Sequence, residues 1–245
     1  MLARSVVTYD LADQFFSGST LRGGFFLGFS PLDRDIAAGR ELFYSAVDPE
    51  MSAAGAGVSC STCHFGGRND GLSWTLEDGD RQTPSLAGGI AETAPFTWTN
   101  GVPSVTAEAL STSSNRMGGS GLSDESVTDL AAYIETFPAP DLPDLDSGDA
   151  SVERGRALFD RSDVGCADCH AGALYTDNRD WPLFGLGAVN TPPLRRIAAT
   201  APYLHDGRAE TLRDVLELSM DGSMGDTSML SEAKLQDLEA FLRSI

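Results

Sequence analysis

The residues best suited to chemistry fall in two motifs of identical spacing, Cys60-Ser-Thr-Cys63-His64 and Cys166-Ala-Asp-Cys169-His170. Two thiols three positions apart can reach the two vinyl groups on one edge of a porphyrin, and the adjacent histidine then lies beneath the iron. Cys-x-x-Cys-His is the signature of covalent haem attachment. The sequence therefore predicts two covalently bound c-type haems, with His64 and His170 as iron ligands.

Two other uses of the cysteines are weaker. The chain contains four Cys and only three His, so two His directly after Cys pairs are unlikely to be there by accident. Two disulfides would leave those histidines unexplained. A single zinc site would require both distant pairs to converge on one ion.

The motifs belong to a larger internal repeat, because five sequence blocks recur in the same order. The blocks are Asp35–Phe43 and Val152–Phe159, the two Cys motifs, Thr83–Leu86 and Thr191–Leu194, Thr93–Phe96 and Thr200–Tyr203, and Leu122–Tyr133 and Leu230–Phe241. We therefore predict an N-terminal extension over residues 1–30, a first haem domain over 31–144 and a second over 145–245. Pro138–Asp149, rich in Pro and acidic residues, is the expected linker.

Each repeat is expected to begin and end with a helix, which gives a mainly α fold of two tandem cytochrome c-like domains with long loops. Apolar residues recur at helical spacing on one face of each segment: Ile36, Leu42 and Phe43; Val152, Leu158 and Phe159; Leu130, Tyr133 and Ile134; Leu238, Phe241 and Leu242. Ser123 and Ser231 are candidate N-caps of the closing helices. Gly39 and Gly155 weaken the opening helices, so we predict a close helix crossing at each.

A methionine at the same place in each repeat is a candidate for the opposite axial position of the iron. Met117 and Met224 each lie 24 residues after a Thr-Ala-Pro threonine (117 − 93 and 224 − 200). Methionine in that position raises the haem potential. A lone Met is more commonly a core residue, and Met220 is an alternative ligand in the second repeat.

The Thr-Pro segments are candidates for supporting the haems. A carbonyl near Pro84 or Pro192 could accept the Nδ1 proton of the ligating histidine. Arg81 and Arg195 flank these segments and could pair with haem propionates, or could be ordinary surface residues.

With these motifs, each repeat resembles a class I cytochrome c. The pair resembles the bacterial di-haem cytochrome c peroxidase family, which includes the enzyme that matures methylamine dehydrogenase. The likeness covers residues 31–245 and is most specific in Thr191-Pro-Pro-Leu-Arg195 and in the segment from Thr200 to Leu212. It implies an electron-transfer haem at His170, a haem for chemistry at His64, and Trp98, or less closely Trp181, between them. It also implies a structural role for His205 and a candidate Ca²⁺ ion between the domains.

The sequence departs from the family at the first haem. Family peroxidases have a removable His after the first motif, whereas no His occurs between His64 and the linker. They also have Glu directly before a Met, where this chain has Arg116 before Met117, and Arg cannot act as a base near neutral pH. Glu77, Glu92 and Glu108 are the remaining candidates for an acid–base carboxylate at this haem.

Electron transfer is therefore the expected function, and a peroxidase reducing hydrogen peroxide with electrons from a small redox protein is the alternative. Whether the chain is an enzyme stays open.

Charge and composition restrict the partners and the compartment. The net charge of −19 argues against nucleic acid and favours a basic redox protein, a cytochrome or cupredoxin, although a general acidic bias would give the same value. No apolar run is long enough to span a membrane. Because c-type haem is attached outside the cytoplasm, a periplasmic or extracellular location is expected. The start lacks a signal peptide, so the chain is expected to be either a processed product or a fragment. Ser5–Leu11 alternates like a strand, which favours a fragment of a larger secreted protein.

Overall fold

The computed structural model describes residues 3–10, 20–29, 31–77, 79–99, 101–142, 148–183 and 188–245, the first two ranges by their backbone alone. Strands β1 (Ala3–Asp10) and β2 (Thr20–Phe29) form an antiparallel pair, with Ala3 opposite Phe29. The strand expected at Ser5–Leu11 coincides with β1 as far as Asp10, and Leu11 lies outside the described residues. So does the expected domain boundary at residue 145.

The first repeat is built on two helices that pack against each other, α1 (Arg34–Tyr44) and α4 (Asp124–Ile134). Between them come the single turn α2 (Cys60–Cys63), the hairpin β3 (Ser73–Leu76) and β4 (Gly79–Gln82), and the short helix α3 (Val105–Ser111). The core contains the edge-to-face rings of Phe43, Tyr133 and Phe137, with centroids 5.1–5.5 Å apart.

The second repeat has the same plan. Helix α5 (Ala150–Phe159) packs against α7 (Glu232–Ser244), with β5 (Asp180–Trp181), β6 (Val189–Asn190) and α6 (Leu212–Leu218) between them in the chain. Arg154 donates two hydrogen bonds to the Asp237 carboxylate, at 2.8 and 2.7 Å, and thereby joins the two helices. Most of the described regular structure is helical, as the sequence predicts.

The two helix crossings occur at the glycines that the sequence singled out. A Cβ atom on Gly39 would lie 1.9 Å from the Asp129 carbonyl oxygen, and one on Gly155 would lie 1.9 Å from that of Asp237. No side chain fits at such a distance, so the prediction of close crossings is confirmed. Only glycine allows α1 and α5 to approach their partner helices this closely.

The N-cap prediction is correct for one closing helix and incomplete for the other. The Ser123 side chain accepts a hydrogen bond from the Ser126 backbone N–H at 3.1 Å, as a capping residue does. Ser231 occupies the cap position of α7, but its side chain makes no capping hydrogen bond to the described residues around it. None of the helices in the described part of the chain is long and apolar enough to cross a membrane.

Candidate haem-binding sites

The first Cys-x-x-Cys-His motif lies on the single turn α2, which places both thiols on adjacent positions of one helical turn. The Ser59 backbone N–H donates to the Thr62 hydroxyl at 3.0 Å and stabilises the start of this turn. Burial raises the pKa of the Cys60 thiol to about 11, and burial with the nearby Asp70 charge raises that of Cys63. Both thiols are therefore protonated at neutral pH.

His64, the next residue, is held as a neutral imidazole. Burial lowers its pKa to about 4, whereas the Asp70 carboxylate and the Pro84 backbone act in the opposite direction. Among the described residues its buried Nδ1 atom has no hydrogen-bond partner, so the Pro84 backbone lies close without forming a well-aligned bond there. Neutral imidazole is the form that ligates haem iron.

The second motif repeats this chemistry on a 3₁₀ turn over Cys166–Asp168. Burial raises the pKa of the Cys166 thiol to about 11 and lowers the pKa of His170. The His170 Nδ1 atom lies 2.9 Å from the Tyr175 carbonyl oxygen, and the Asp177 carboxylate and the Pro192 backbone also favour its protonated form. The sequence predicted a carbonyl near Pro192 as the acceptor of the Nδ1 proton, and nothing in it indicated Tyr175.

A buried methionine outside the repeat pattern contacts the first motif. The Met51 Sδ atom lies 3.8 Å from the Cys60 Sγ atom, and Met51 is 1% exposed. Sequence reasoning missed this residue because the second repeat has no equivalent methionine.

Each candidate axial methionine is followed by glycine in a segment that packs beside the haem motif of its own repeat. The Met117 carbonyl accepts a hydrogen bond from the Ala53 N–H at 2.9 Å, shortly before the first motif. In the second repeat, Asp226 N–H donates to the Val164 carbonyl at 2.8 Å, and a Cβ on Gly225 would lie 2.6 Å from that oxygen. Both methionines therefore lie in segments that hydrogen-bond to residues shortly before the haem motif of their own repeat.

Burial distinguishes the methionines of the second repeat. Met224 is half-buried, whereas Met220 is 41% and Met229 is 84% exposed. Met117 is half-buried against the core of the first repeat. This pattern favours Met224 over Met220 as the candidate ligand.

The two arginines proposed for the propionates have different environments. Arg81 donates to the Asp80 carbonyl at 2.8 Å, and its charge lowers the pKa of His205 in the other repeat. Arg195 is exposed. Their pairing with haem propionates stays a prediction.

The two repeats contact each other through equivalent residues. The Asn69 amide donates to the Ala201 carbonyl at 2.6 Å, and the Asn178 amide donates to the Ala94 carbonyl at 2.8 Å. Ala94 and Ala201 occupy the same position in the two Thr-Ala-Pro blocks. Each repeat therefore binds the Thr-Ala-Pro segment of the other, an approximately two-fold arrangement.

Two further reciprocal hydrogen bonds place a pair of rings at the centre of this interface. Gln82 N–H donates to the His205 carbonyl at 2.7 Å, and Asn190 N–H donates to the Trp98 carbonyl at 2.8 Å. Trp98 and His205 are equivalent residues, offset by 107 positions like Ala94 and Ala201 (205 − 98 and 201 − 94). Their rings meet edge to face, with centroids 6.2 Å apart.

His205 is 4% exposed at this contact, and burial lowers its pKa despite the adjacent Asp206 carboxylate. Trp181, the weaker candidate for a position between the haems, instead donates its indole N–H to Asp177 at 3.1 Å within its own repeat. Of these two candidates, Trp98 is the one whose ring contacts an aromatic ring of the other repeat among the described residues.

No family model matches the chain, but individual relatives do. It is 28% identical to the methylamine utilization protein MauG of Methylorubrum extorquens, over 86% of this chain and 77% of that protein. The hydrazine synthase subunit gamma of Kuenenia stuttgartiensis is 26% identical over 76% of this chain and 72% of that protein. A solved structure of hydrazine synthase from the same organism has the same fold, with a TM-score of 0.71, 23% identity, and 88% and 89% of the two chains covered.

The Escherichia coli cytochrome c peroxidase Ccp is 30% identical over 51% of this chain and 33% of its own length. The chain is similar to members of the di-haem cytochrome c peroxidase family. The resemblance inferred from the repeated motifs is therefore confirmed, as is the fold class.

The cysteines and the histidine of each Cys-x-x-Cys-His motif fit a bound haem. All four cysteines are free thiols, so the structure does not pair them as disulfides. Each pair is followed by a neutral histidine, and the buried Nδ1 atom of His64 lacks a partner among the described residues.

One carboxylate near the first motif has an arrangement that the sequence did not reveal. Glu108 forms an ion pair with Arg116 at 2.5 Å and accepts a hydrogen bond from the Thr112 hydroxyl at 3.1 Å. Its other oxygen, Oε2, is buried and has no partner among the described residues. Arg116 precedes Met117 and its charge lowers the pKa of His64. Glu77 and Glu92, the other two candidates, are exposed.

Proposed function

We propose that this chain is a di-haem c-type cytochrome that transfers electrons between two covalently attached haems outside the cytoplasm. The observation that carries the proposal is the interface, where two equivalent segments of the repeats bring Trp98 and His205 into edge-to-face contact. A haem in each repeat would supply one-electron redox chemistry. The protein has to hold the two cofactors in a fixed relation.

Each motif has a defined task in this proposal. Cys60 and Cys63 would hold one haem, and Cys166 and Cys169 the other, through thioether bonds to its vinyl groups. Neutral His64 and His170 would each provide an iron ligand. Met117 and Met224 are the candidates for the second protein ligand of each iron, and the backbones of Pro84 and Pro192 lie close to the histidines.

The interface fixes the relation between the two sites. Four reciprocal hydrogen bonds, made by Asn69, Gln82, Asn178 and Asn190, hold the segments that carry Trp98 and His205. Both rings are thereby kept between the repeats in a largely dehydrated contact. A rigid aromatic contact of this kind favours electronic coupling between the sites.

Electron equilibration between the haems tests this proposal. The oxidised protein is mixed rapidly with less than one equivalent of reductant, and the redistribution of the electron between the two haem spectra is followed. Replacement of Trp98 by Leu should slow the redistribution and leave both spectra unchanged. Phe65→Leu, at a residue that is 77% exposed, serves as control. An unchanged rate in the Trp98 variant would contradict the proposed role of the interface.

Peroxide reduction is a second candidate function, favoured by the buried Oε2 atom of Glu108. A carboxylate with an unpartnered oxygen can exchange protons with a peroxide molecule, which the Arg before Met117 cannot do. Glu108 would then replace the glutamate that other family members carry directly before this methionine. A haem at His64 would be open to peroxide only without Met117 as an iron ligand.

Peroxide turnover with a reduced small cytochrome as donor distinguishes the two functions. If the chain is a peroxidase, Glu108→Gln should reduce turnover by a factor of about 10² or more, the usual contribution of acid–base catalysis. Glu92→Gln, at an exposed position, should leave it unchanged. Absence of turnover in the fully reduced wild-type protein, with calcium present, would exclude this second function.

The relatives and the charge support a proposal for the partner and the compartment. We propose a small basic cytochrome or cupredoxin as redox partner and a periplasmic or extracellular location. A calcium ion between the repeats is proposed from the resemblance of the sequence to the peroxidase family alone. Within the described residues, no group of three or more His, Cys, Asp and Glu side chains is arranged to hold a metal ion.

A further inference from the structure

An aspartate–tryptophan pair lies beside the histidine motif in both repeats. The Trp74 indole N–H donates to Asp70 Oδ2 at 2.9 Å, and the Trp181 indole N–H donates to Asp177 Oδ2 at 3.1 Å. The other oxygen of each carboxylate accepts a backbone N–H two residues on, at 2.9 and 3.1 Å. The two pairs are offset by 107 residues (177 − 70 and 181 − 74), as are Trp98 and His205.

These hydrogen bonds fix each carboxylate close to the haem motif. Trp74 and Trp181 lie on β3 and β5, the first strands of two short hairpins whose second strands lead into the Thr-Pro segments. Asp177 comes two residues after Tyr175, whose carbonyl oxygen lies 2.9 Å from the His170 Nδ1 atom, and Asp70 is the equivalent residue of the first repeat, six positions after His64. Each carboxylate is therefore held near the histidine that is expected to ligate iron.

The two repeats differ in what else the histidine contacts. The Nδ1 atom of His170 already lies 2.9 Å from the Tyr175 carbonyl oxygen. The buried Nδ1 atom of His64 has no partner within the described part of the chain. The charge of Asp70 is therefore expected to affect His64 more than the charge of Asp177 affects His170, whose Nδ1 atom already has a hydrogen-bond partner.

We propose that Asp70 and Asp177 set the reduction potentials of the two haems, with the larger effect at the first. A fixed negative charge near the ligating histidine stabilises the oxidised haem, which carries one more positive charge than the reduced haem. Trp74 and Trp181 are positioning residues, because their N–H groups keep the carboxylates from turning to solvent. This inference rests on the proposed haem at each motif.

Redox titration of single variants, with the two haems resolved by their spectra, tests the inference. Asp70→Asn removes the charge at nearly constant shape, so the potential of the first haem should rise more than that of the second. Asp177→Asn should raise the second more than the first, by a smaller amount. Trp74→Phe should raise the first potential by less than Asp70→Asn does.

Matched controls are available on the same hairpins. Asp80→Asn and Asp180→Asn remove exposed carboxylates from β4 and β5. Neither substitution should shift the reduction potential of the haem in its own repeat by as much as Asp70→Asn or Asp177→Asn does. Equal shifts in Asp70→Asn and Asp80→Asn, or no shift in Asp70→Asn, would overturn the inference. Haem content is measured first by mass: wild-type protein without two haems contradicts the proposed function and this inference with it, whereas unshifted potentials in di-haem protein contradict the inference alone.

Discussion

At the scale of single residues, burial acts in opposite directions on the thiols and the imidazoles. Burial disfavours charge, so it raises the pKa of Cys60 and Cys166 and lowers that of His64 and His170. The effect on the histidines suits haem binding, because a neutral imidazole has the lone pair that haem iron would bind.

A methionine substitution tests the proposed ligation of the first haem. Met117→Ala removes the thioether, so the ferrous haem should become high-spin, bind carbon monoxide and have a lower potential. Absorption spectra of the reduced variant with and without carbon monoxide provide the measurement. Met229→Ala, at an 84% exposed position, should leave the spectrum as in the wild type. If Met117→Ala also leaves it unchanged, Met117 is not the ligand.

Sequence reasoning located the residues that recur at fixed offsets and missed those defined by a contact. Cys60, His64 and Met117 could be found because their type and spacing are constrained. Tyr175 acts through its backbone, which the sequence does not distinguish from any other residue. Met51 occurs in one repeat only, so it lacks the signal that selected Met117.

At the scale of elements, the helix crossings at Gly39 and Gly155 form the framework of each repeat. Helix propensity alone would favour Ala at these positions by about 1 kcal/mol. The carbonyl oxygens of Asp129 and Asp237 lie 1.9 Å from where a Cβ would be, so packing overrides propensity. The sequence predicted both crossings, because a costly glycine at the same place in both repeats requires a structural reason.

Replacement of Gly39 by Ala should therefore destabilise the protein. Overpacking of a close contact typically costs about 1–3 kcal/mol, which exceeds the gain in helix propensity. Denaturant unfolding followed by circular dichroism measures the change in the free energy of unfolding. Glu41→Ala, an exposed substitution on the same helix, is the control. Equal stability of the two variants would contradict the close crossing.

At the scale of the whole molecule, the repeat predicts two similar units but not how they meet. The contact between the Trp98 and His205 rings is visible only in the structure, although the two residues occupy equivalent positions of the repeats. The same holds for Glu108 and Arg116, which are eight residues apart and meet through the helical turns between them. The sequence therefore predicts the two units, whereas the contacts between them are known only from the structure.

The net charge of −19 leads to a prediction about association with a basic redox partner. Raising the ionic strength from about 10 to 150 mM shortens the Debye length from roughly 30 to 8 Å. The bimolecular electron-transfer rate constant should then fall roughly tenfold or more. Stopped-flow measurement with a small basic cytochrome tests this, with an uncharged reductant as control. A rate constant that is independent of salt would argue against electrostatic steering.

The most direct test of the central claim is the intact mass of the protein produced with a haem-attachment system and measured under denaturing conditions. The account predicts the mass of the chain plus two haems, and of the chain plus one haem for the double variant Cys60→Ala, Cys63→Ala. The mass of the bare chain, or a double variant that still carries two haems, would contradict it.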